Sequence, residues 1–502
     1  MKSLVQCLNH LLKKKSTSSS NTQLKDLVLS VQFDSNVTSR FKALNDVSPE
    51  ILQWGTCILF AINKSFVTLT DFISFEPDVP ELSLLKQIME YRQFLLWNLK
   101  LVLWQDTLKS TYANADNYQS ITIDRLATYS LRGKTATVET LNKSIFGQIF
   151  KRLHYIDPKM LRHKSKEMGG PYGTWKVDFV GESSIDQGGP FRDTLTQCVT
   201  DLWAEHVMML VKVPNNRNNS GEFGRDKLVP NPENISDDHL QMWRFVGKIM
   251  GIALRINNPL PFDLPSLVWK ILVSEEINRF DLKAIDESFY QINERILKCD
   301  ANDIEGFKLS HVVINNAGEE KELMKGGDEV PVTGSNYVEY VSMCEQYRIN
   351  ELKQQCLAIK AGISTIVPVG MLHLWTWEEL ELNVCGKKGF DIDLLKEHTE
   401  FKDSYENNLQ FQGWLWKSLE ALDEEERENF LRFCWGRSRL PVAKDGWTHK
   451  FAVHPKSGDD NALPTGHTCF FQIDIPRYTS QEILEKRLRT AVKWGNGAID
   501  DD

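Results

Sequence analysis

Leu463-Pro464-Thr465-Gly466-His467-Thr468-Cys469-Phe470-Phe471 runs from a polar, turn-prone segment into a single cysteine and then straight into an apolar run. Beyond it the residues alternate: Cys469, Phe471, Ile473 and Ile475 share one strand face, and Phe470, Gln472 and Asp474 the other. Pro476 ends the strand, and Thr479-Ser480-Gln481-Glu482 carries a capping pattern for a final amphipathic helix bearing Ile483, Leu484, Leu488, Ala491 and Val492. A thiol at the mouth of a strand, after a polar turn, is reachable by a partner. His467 and Thr468 beside it favour thiolate, and the thiolate is the nucleophile. Entry into a strand, rather than a helix that starts at the cysteine, weighs against a papain-like protease.

The remaining cysteines read differently. Nine occur, at positions 7, 57, 198, 299, 344, 356, 385, 434 and 469, with no CxxC pair, which fits neither a disulfide framework nor a zinc site. Cys57, Cys198, Cys344, Cys356 and Cys434 sit inside apolar helical patterns, where cysteine serves as a small buried hydrophobe. Unpaired thiols point to a reducing compartment, so a cytoplasmic or nuclear setting is expected. The 502 residues suggest two to four domains. A net charge of −9 argues against a nucleic-acid binder, and residues 1–140, with 15 Lys+Arg against 13 Asp+Glu, leave the acidic excess to the remainder. The first residues do not read as a signal peptide, because Lys13-Lys14-Lys15 follows the apolar part. No apolar run is long enough to span a membrane.

Upstream, residues 1–22 read as a short frayed helix and a polar tract, and 23–130 as a helical region. Within it, 94–102 is apolar nearly all round, broken only by Asn98 and Lys100, and is expected to be buried. Trp175–Val180 alternates like a strand, and Gly188-Gly189-Pro190 turns into a helix. Residues 241–256 form a strong helix whose Gly247 and Gly251 admit close approach of another element. Val330–Val332 reads as a strand and Tyr337–Ala361 as one long helix ended by Gly362. Gly386-Lys387-Lys388-Gly389 reads as a helix cap and flexible joint, which places a domain boundary there. Helices are expected over 392–400, 410–422 and 424–434, and a strand over 450–453.

These segments carry a family likeness. The cysteine stretch, with Ile475-Pro476-Arg477-Tyr478 and Leu484-Glu485-Lys486-Arg487-Leu488, resembles the active-site region of HECT-type ubiquitin-protein ligases. Asp186-Gln187-Gly188-Gly189-Pro190-Phe191-Arg192-Asp193 resembles a turn of that family in the form seen in its large HERC-like members. The segments 245–253, 379–386 and 430–441 resemble family motifs in the family's order, so the likeness covers about residues 140–502.

The resemblance implies an α+β, bilobal HECT domain. Its larger, mostly helical N-lobe (141–386) would dock a ubiquitin-conjugating enzyme. A hinge (387–389, flanked by Gly386 and Gly389) would join it to a smaller α/β C-lobe (390–502) carrying the cysteine, with a helical region of unknown role at 1–140. It implies that Cys469 accepts ubiquitin as a thioester and passes it to substrate lysines, with no cofactor or metal. His467 and Thr468 would shape the loop, and Arg437 and Arg439 would hold the loop or the ubiquitin tail, a solvated basic turn being the plain alternative. Phe289, Ile296, Leu297 and Phe307 fall where the family places the conjugating-enzyme groove, although core packing suits each of them singly. Ile499 stands where members carry a phenylalanine, and three aspartates follow it. A non-catalytic scaffold and a cysteine hydrolase are the competing expectations.

Overall fold

The computed structural model describes residues 2–13, 41–44, 47–73, 75, 83–113, 119–131, 133–164, 173–181, 189–218, 220–221, 224–386, 391–435, 440, 450–467 and 470–495. Among the described residues helices dominate and ten short strands accompany them, in keeping with an α+β fold. Internal packing divides the chain into two units. One comprises Met1–Tyr112, Val273–Glu275 and Val367–Leu380; the other comprises Ala113–Leu272, Glu276–Ile366 and Glu381–Asp502.

The first unit is built from the helices Lys2–Lys13, Pro49–Leu69, Leu84–Tyr91 and Trp97–Ser110. The first of them is not frayed. Leu4, Val5, Cys7 and Leu8 are buried with Leu52, Leu59 and Leu96, because four apolar residues on one face suffice to dock three turns of helix. Asn63 stitches the layer together: its Nδ2 donates to Leu59 O at 2.7 Å and Phe94 O at 2.9 Å, and its Oδ1 accepts from Leu96 N at 2.7 Å. Cys57, expected as buried filler, is exposed, since it falls on the outward face of Pro49–Leu69 beside Trp54 and Ile58. Lys100, expected as a polar break, is fully buried. Its Nζ lies 2.8 Å from Glu379 Oε2. Nearby, Arg92 donates to the carbonyls of Val273 at 2.7 Å, Ser274 at 3.0 Å and His373 at 3.2 Å. Trp375 packs between Trp97 and Trp104.

In the second unit β1 (Gln119–Ile123) pairs in parallel with β2 (Trp175–Phe179). β1 interrupts the stretch expected to be helical, because Gln-Ser-Ile-Thr-Ile alternates over too few residues to stand out. Helices Asp237–Ile256 and Lys353–Ile366 cross at glycine. A Cβ on Gly247 would stand 1.9 Å from Ile359 O, and one on Gly362 would stand 1.8 Å from Arg244 O. Gly362 is therefore a crossing residue inside a helix, not a helix end. The long helix expected over 337–361 is two, Tyr337–Asn350 and Lys353–Ile366, parted at Glu351 and Leu352. The hairpins β3 (Leu210–Lys212) with β4 (Leu228–Pro230) and β5 (Val312–Ile314) with β6 (Glu320–Glu322) add small ribs. The strand expected at 330–332 reduces to a single bridge between Ser310 and Pro331.

A four-stranded sheet closes the second unit, in the order β7 (Thr399–Phe401), β8 (Phe451–Lys456), β10 (Gln472–Pro476), β9 (Thr465–His467). β10 runs parallel to β8 and antiparallel to β9. The helix expected over 392–400 stops at Glu397, and its tail becomes β7. Phe430, Trp435, Phe451, Phe471, Ile473, Ile475, Leu484 and Leu488 share one buried cluster, so the alternation read after residue 469 does place its apolar face inward.

Asp201 ends the helix Gly189–Asp201 and accepts from Phe146 N at 3.0 Å. Burial pushes its carboxyl up to about 6, against the lowering effect of the backbone donors Phe146 and Ile145. The folded state therefore holds this proton more tightly than the unfolded chain. The stability it contributes is full below the unfolded carboxylate range and is lost as pH rises through about 6, roughly 3 kcal/mol in all. Asp201→Asn keeps an acceptor for Phe146 N and cannot ionise. The variant is expected to gain stability relative to wild type between pH 5 and pH 7.5, read by melting at both pH values. A pH-independent difference would refute the assignment.

Candidate active site

The cysteine stretch threads a short hairpin. His467 pairs with Gln472, Gly466 with Ile473 and Thr465 with Asp474, so residues 468–471 link the two strands. Phe470 N donates to His467 O at 3.0 Å. Thr468 and Cys469, between these two in sequence, lie outside the described residues, as do Arg437, Arg439, Gly389 and Ile499.

The flanks are firmly held. Phe471 is fully buried, stacked on Trp435 at 4.0 Å between centroids, with Phe451 at 4.9 Å. It adopts a left-handed φ of 51°, a conformation a bulky side chain accepts only where packing over-determines it. Phe470 next to it is 47% exposed. On the other strand a Cβ at Gly466 would lie 2.1 Å from Phe433 O, so β9 rests with its backbone against the end of the helix Glu424–Trp435. Lys456 Nζ donates to Thr465 Oγ1 at 2.6 Å and Leu463 O at 3.2 Å.

His467 Nε2 lies 3.0 Å from Asp474 Oδ2, and Gln472 Nε2 donates to Asp474 Oδ1 at 2.7 Å. A carboxylate only accepts, which assigns the hydrogen to Nε2 and leaves Nδ1 of the neutral ring as an acceptor. Asp474 and Gln472 were not picked out from the sequence as supporting residues. The signal was present in the hairpin register, which sets Asp474 diagonally across from His467 on the neighbouring strand.

Of the other eight cysteines, Cys57 is exposed and the remaining seven are wholly or partly buried. Cys7, Cys198, Cys344, Cys356, Cys385 and Cys434 are buried, and Cys299 is half-buried. Burial pushes the thiols of Cys7 and Cys344 up to about 11 and that of Cys356 to about 12, and raises those of Cys198 and Cys434 well above the ordinary thiol value. Thiolate is scarce at each of these five.

Gly386 caps the helix Trp377–Cys385 with φ 74°, its N donating to Leu382 O at 2.9 Å, as a helix-ending glycine should. A Cβ there would stand 3.0 Å from Leu440 O and from Pro259 Cβ. Among the expected docking residues, Ile296 is 5% exposed and belongs to a core cluster, Phe289 and Leu297 pack partly buried against that cluster, and Phe307 is 47% exposed. Asn293 is buried. The neighbouring Phe280 and Ile292, not picked out from the sequence, are exposed. Among the described residues no group of three or more His, Cys, Asp or Glu could hold a metal ion, and no helix is long and apolar enough to cross a membrane.

β9 and β10, which flank the cysteine in sequence, belong to a four-stranded sheet packed on helices. The family model for the HECT-domain (ubiquitin-transferase) matches residues 197–498, and the chain belongs to that family. It is similar to the E3 ubiquitin-protein ligase HERC2 of Mus musculus, 32% identical over 366 residues that make up 72% of this chain and 7% of the relative. It is also similar to the E3 ubiquitin-protein ligase TOM1-like of Neurospora crassa, 28% identical over 372 residues (72% and 9%). The E3 ubiquitin-protein ligase NEDD4 of Homo sapiens is 27% identical over 329 residues (64% and 24%). The chain thus spans at most about a quarter of these relatives' lengths. The HERC-like resemblance read from the motifs agrees with these matches.

Proposed function

We propose that this protein is a ubiquitin-protein ligase that takes ubiquitin from a charged conjugating enzyme onto Cys469 and hands it to substrate lysines. The observation that carries the reading is the hairpin held on both sides of the cysteine in a chain of this family: His467 fixed by Asp474 before it, Phe471 locked on Trp435 after it. The Cys469 thiolate attacks the thioester carbonyl carbon at ubiquitin's C-terminus. The new S–C bond forms as the bond to the conjugating enzyme's sulfur breaks, and that sulfur leaves as thiolate. A substrate lysine amine then attacks the same carbon, forming an isopeptide bond and releasing the Cys469 thiolate, with the amine proton passing to a base. The first step exchanges one thioester for another, so geometry and thiolate fraction limit it. His467 and Thr468 support the loop, and Arg437 and Arg439 steady it or the ubiquitin tail.

We further assign residues 141–386 to a docking lobe and 390–502 to a lobe bearing the thiol, joined through 387–389, with 1–140 as a helical region ahead of them. One cysteine must meet two partners, which requires a joint at Gly386 and Gly389. Phe289, Ile296, Leu297 and Phe307 form or underlie the docking face.

The test is incubation with activating enzyme, a panel of conjugating enzymes, ubiquitin and ATP, followed by non-reducing gels of wild type and Cys469→Ala. A thiol-sensitive adduct on wild type alone supports the ligase. No adduct across the panel favours a scaffold, and release of free ubiquitin without ligation favours a hydrolase. A second expectation concerns Gly466. Gly466→Ala forces β9 off Phe433 O, and loading should slow by about tenfold or more with a stability loss of roughly 1–3 kcal/mol. Loading at the wild-type rate would show that the close approach does not position the loop.

A further inference from the structure

Arg348, in the last turn of the helix Tyr337–Asn350, is 1% exposed and gathers acceptors from four residues on one guanidinium. Its Nε donates to Glu351 Oε1 at 2.8 Å, where the two long helices part. One Nη donates to Asp286 Oδ2 at 3.0 Å and to Ile314 O at 3.2 Å, and the other to Asn316 Oδ1 at 2.8 Å. Asn316 closes the ring, its Nδ2 donating to Glu351 Oε1 at 2.6 Å and its backbone N to Oε2 at 3.0 Å. Asp286 is also the N-cap of the helix Glu287–Lys298, accepting from Phe289 N at 3.0 Å, and the guanidinium carbon lies 4.9 Å from the centre of the Phe289 ring. Arg348 therefore grips the start of that helix twice, through the cap carboxylate and through the first aromatic ring. Arg279 holds the outer side, bridging Glu294 at 2.7 Å and Glu345 at 2.8 Å.

Only a planar fork with five donors reaches these acceptors at once; an ammonium satisfies one or two. Removing the fork leaves Asp286 and Glu351 short of donors in a dry site, and the freest response is a shift of the helix Glu287–Lys298. We infer that Arg348 is a positioning residue for ubiquitin loading, holding the conjugating-enzyme docking helix in place without touching the thiol chemistry. The inference rests on the ligase reading above.

The experiment uses the full chain and a conjugating enzyme that loads wild type. Loading is followed against the concentration of charged conjugating enzyme for wild type, Arg348→Lys and Asn316→Ala. Discharge of the preformed thioester to free lysine is measured separately. Arg348→Lys is expected to raise the half-saturating concentration about tenfold, and Asn316→Ala about threefold, with maximal loading and discharge within about twofold of wild type. An unchanged half-saturating concentration, or an equal fall in discharge, overturns the inference. Should Arg348→Lys fail to give a cooperative melt, Asn316→Ala decides by the same criteria. A wild type that loads from no conjugating enzyme sinks the ligase reading itself, a result distinct from loss in the variants.

Discussion

Replacing Cys469 by alanine is expected to abolish the thiol-sensitive ubiquitin adduct and to lower ligation by at least about a thousandfold, because in the proposed mechanism its sulfur forms the bond to ubiquitin. No described cysteine can take over. Cys434 shares the buried cluster beneath the hairpin, but burial keeps its thiol protonated and walled in by packed side chains. Cys57 is exposed on the helix Pro49–Leu69, outside the residues 197–498 that match the family. The substitution should leave the fold almost untouched, since the hairpin is held by His467–Asp474 and by the Phe471–Trp435 stack. Loading gels and a thermal melt on the same sample check both halves. A persistent adduct at wild-type rate would move the chemistry to another residue.

Lys100→Ala is expected to cost about 3–5 kcal/mol, the usual cost of breaking a buried ion pair by removing one partner. Lys100 is wholly enclosed, and burial lowers its pKa, with Glu379 opposing that effect. Glu379 is itself part of a cap: its Oε2 accepts from Thr376 N at 2.9 Å, and its N donates to Thr376 Oγ1 at 3.3 Å. The loss therefore reaches the start of the helix Trp377–Cys385 as well as the helix Trp97–Ser110. Removing both charges, as in Lys100→Met with Glu379→Gln, should restore much of the loss, because the cost lies in a buried carboxylate that has lost its ammonium partner. Denaturant melts of wild type and the two variants decide this. A single-variant loss below about 1 kcal/mol would mean that water reaches the pair.

The active-site half of the fold was legible in its residues because its signals are local. Alternation after 469 gave the face of β10, Pro476 its end, and Ser480 the start of the last helix, where its Oγ accepts from Ile483 N at 3.3 Å. Gly247 and Gly251 announced a close crossing. What stayed hidden depends on distant partners. Gly362 looks like a helix stop until Arg244 is placed against it. Lys100 looks like a polar break in a buried stretch until Glu379, far along the chain, meets it. Asp474 looks like an ordinary strand carboxylate until the hairpin brings His467 across. At the proposed site the sequence drew attention to Cys469 and His467 but not to Asp474, because pairing across strands leaves no mark on neighbouring positions.

The crossing of Asp237–Ile256 with Lys353–Ile366 has a consequence for how such a protein can vary over time. Where two helices meet main chain to main chain, their separation is set by atoms common to every residue type. Even a methyl at Gly247 or Gly362 would force main chain to shift. The crossing is a fixed ruler inside a sequence otherwise free to drift, and novelty in descendants of this chain has to be written in loops and surfaces around it.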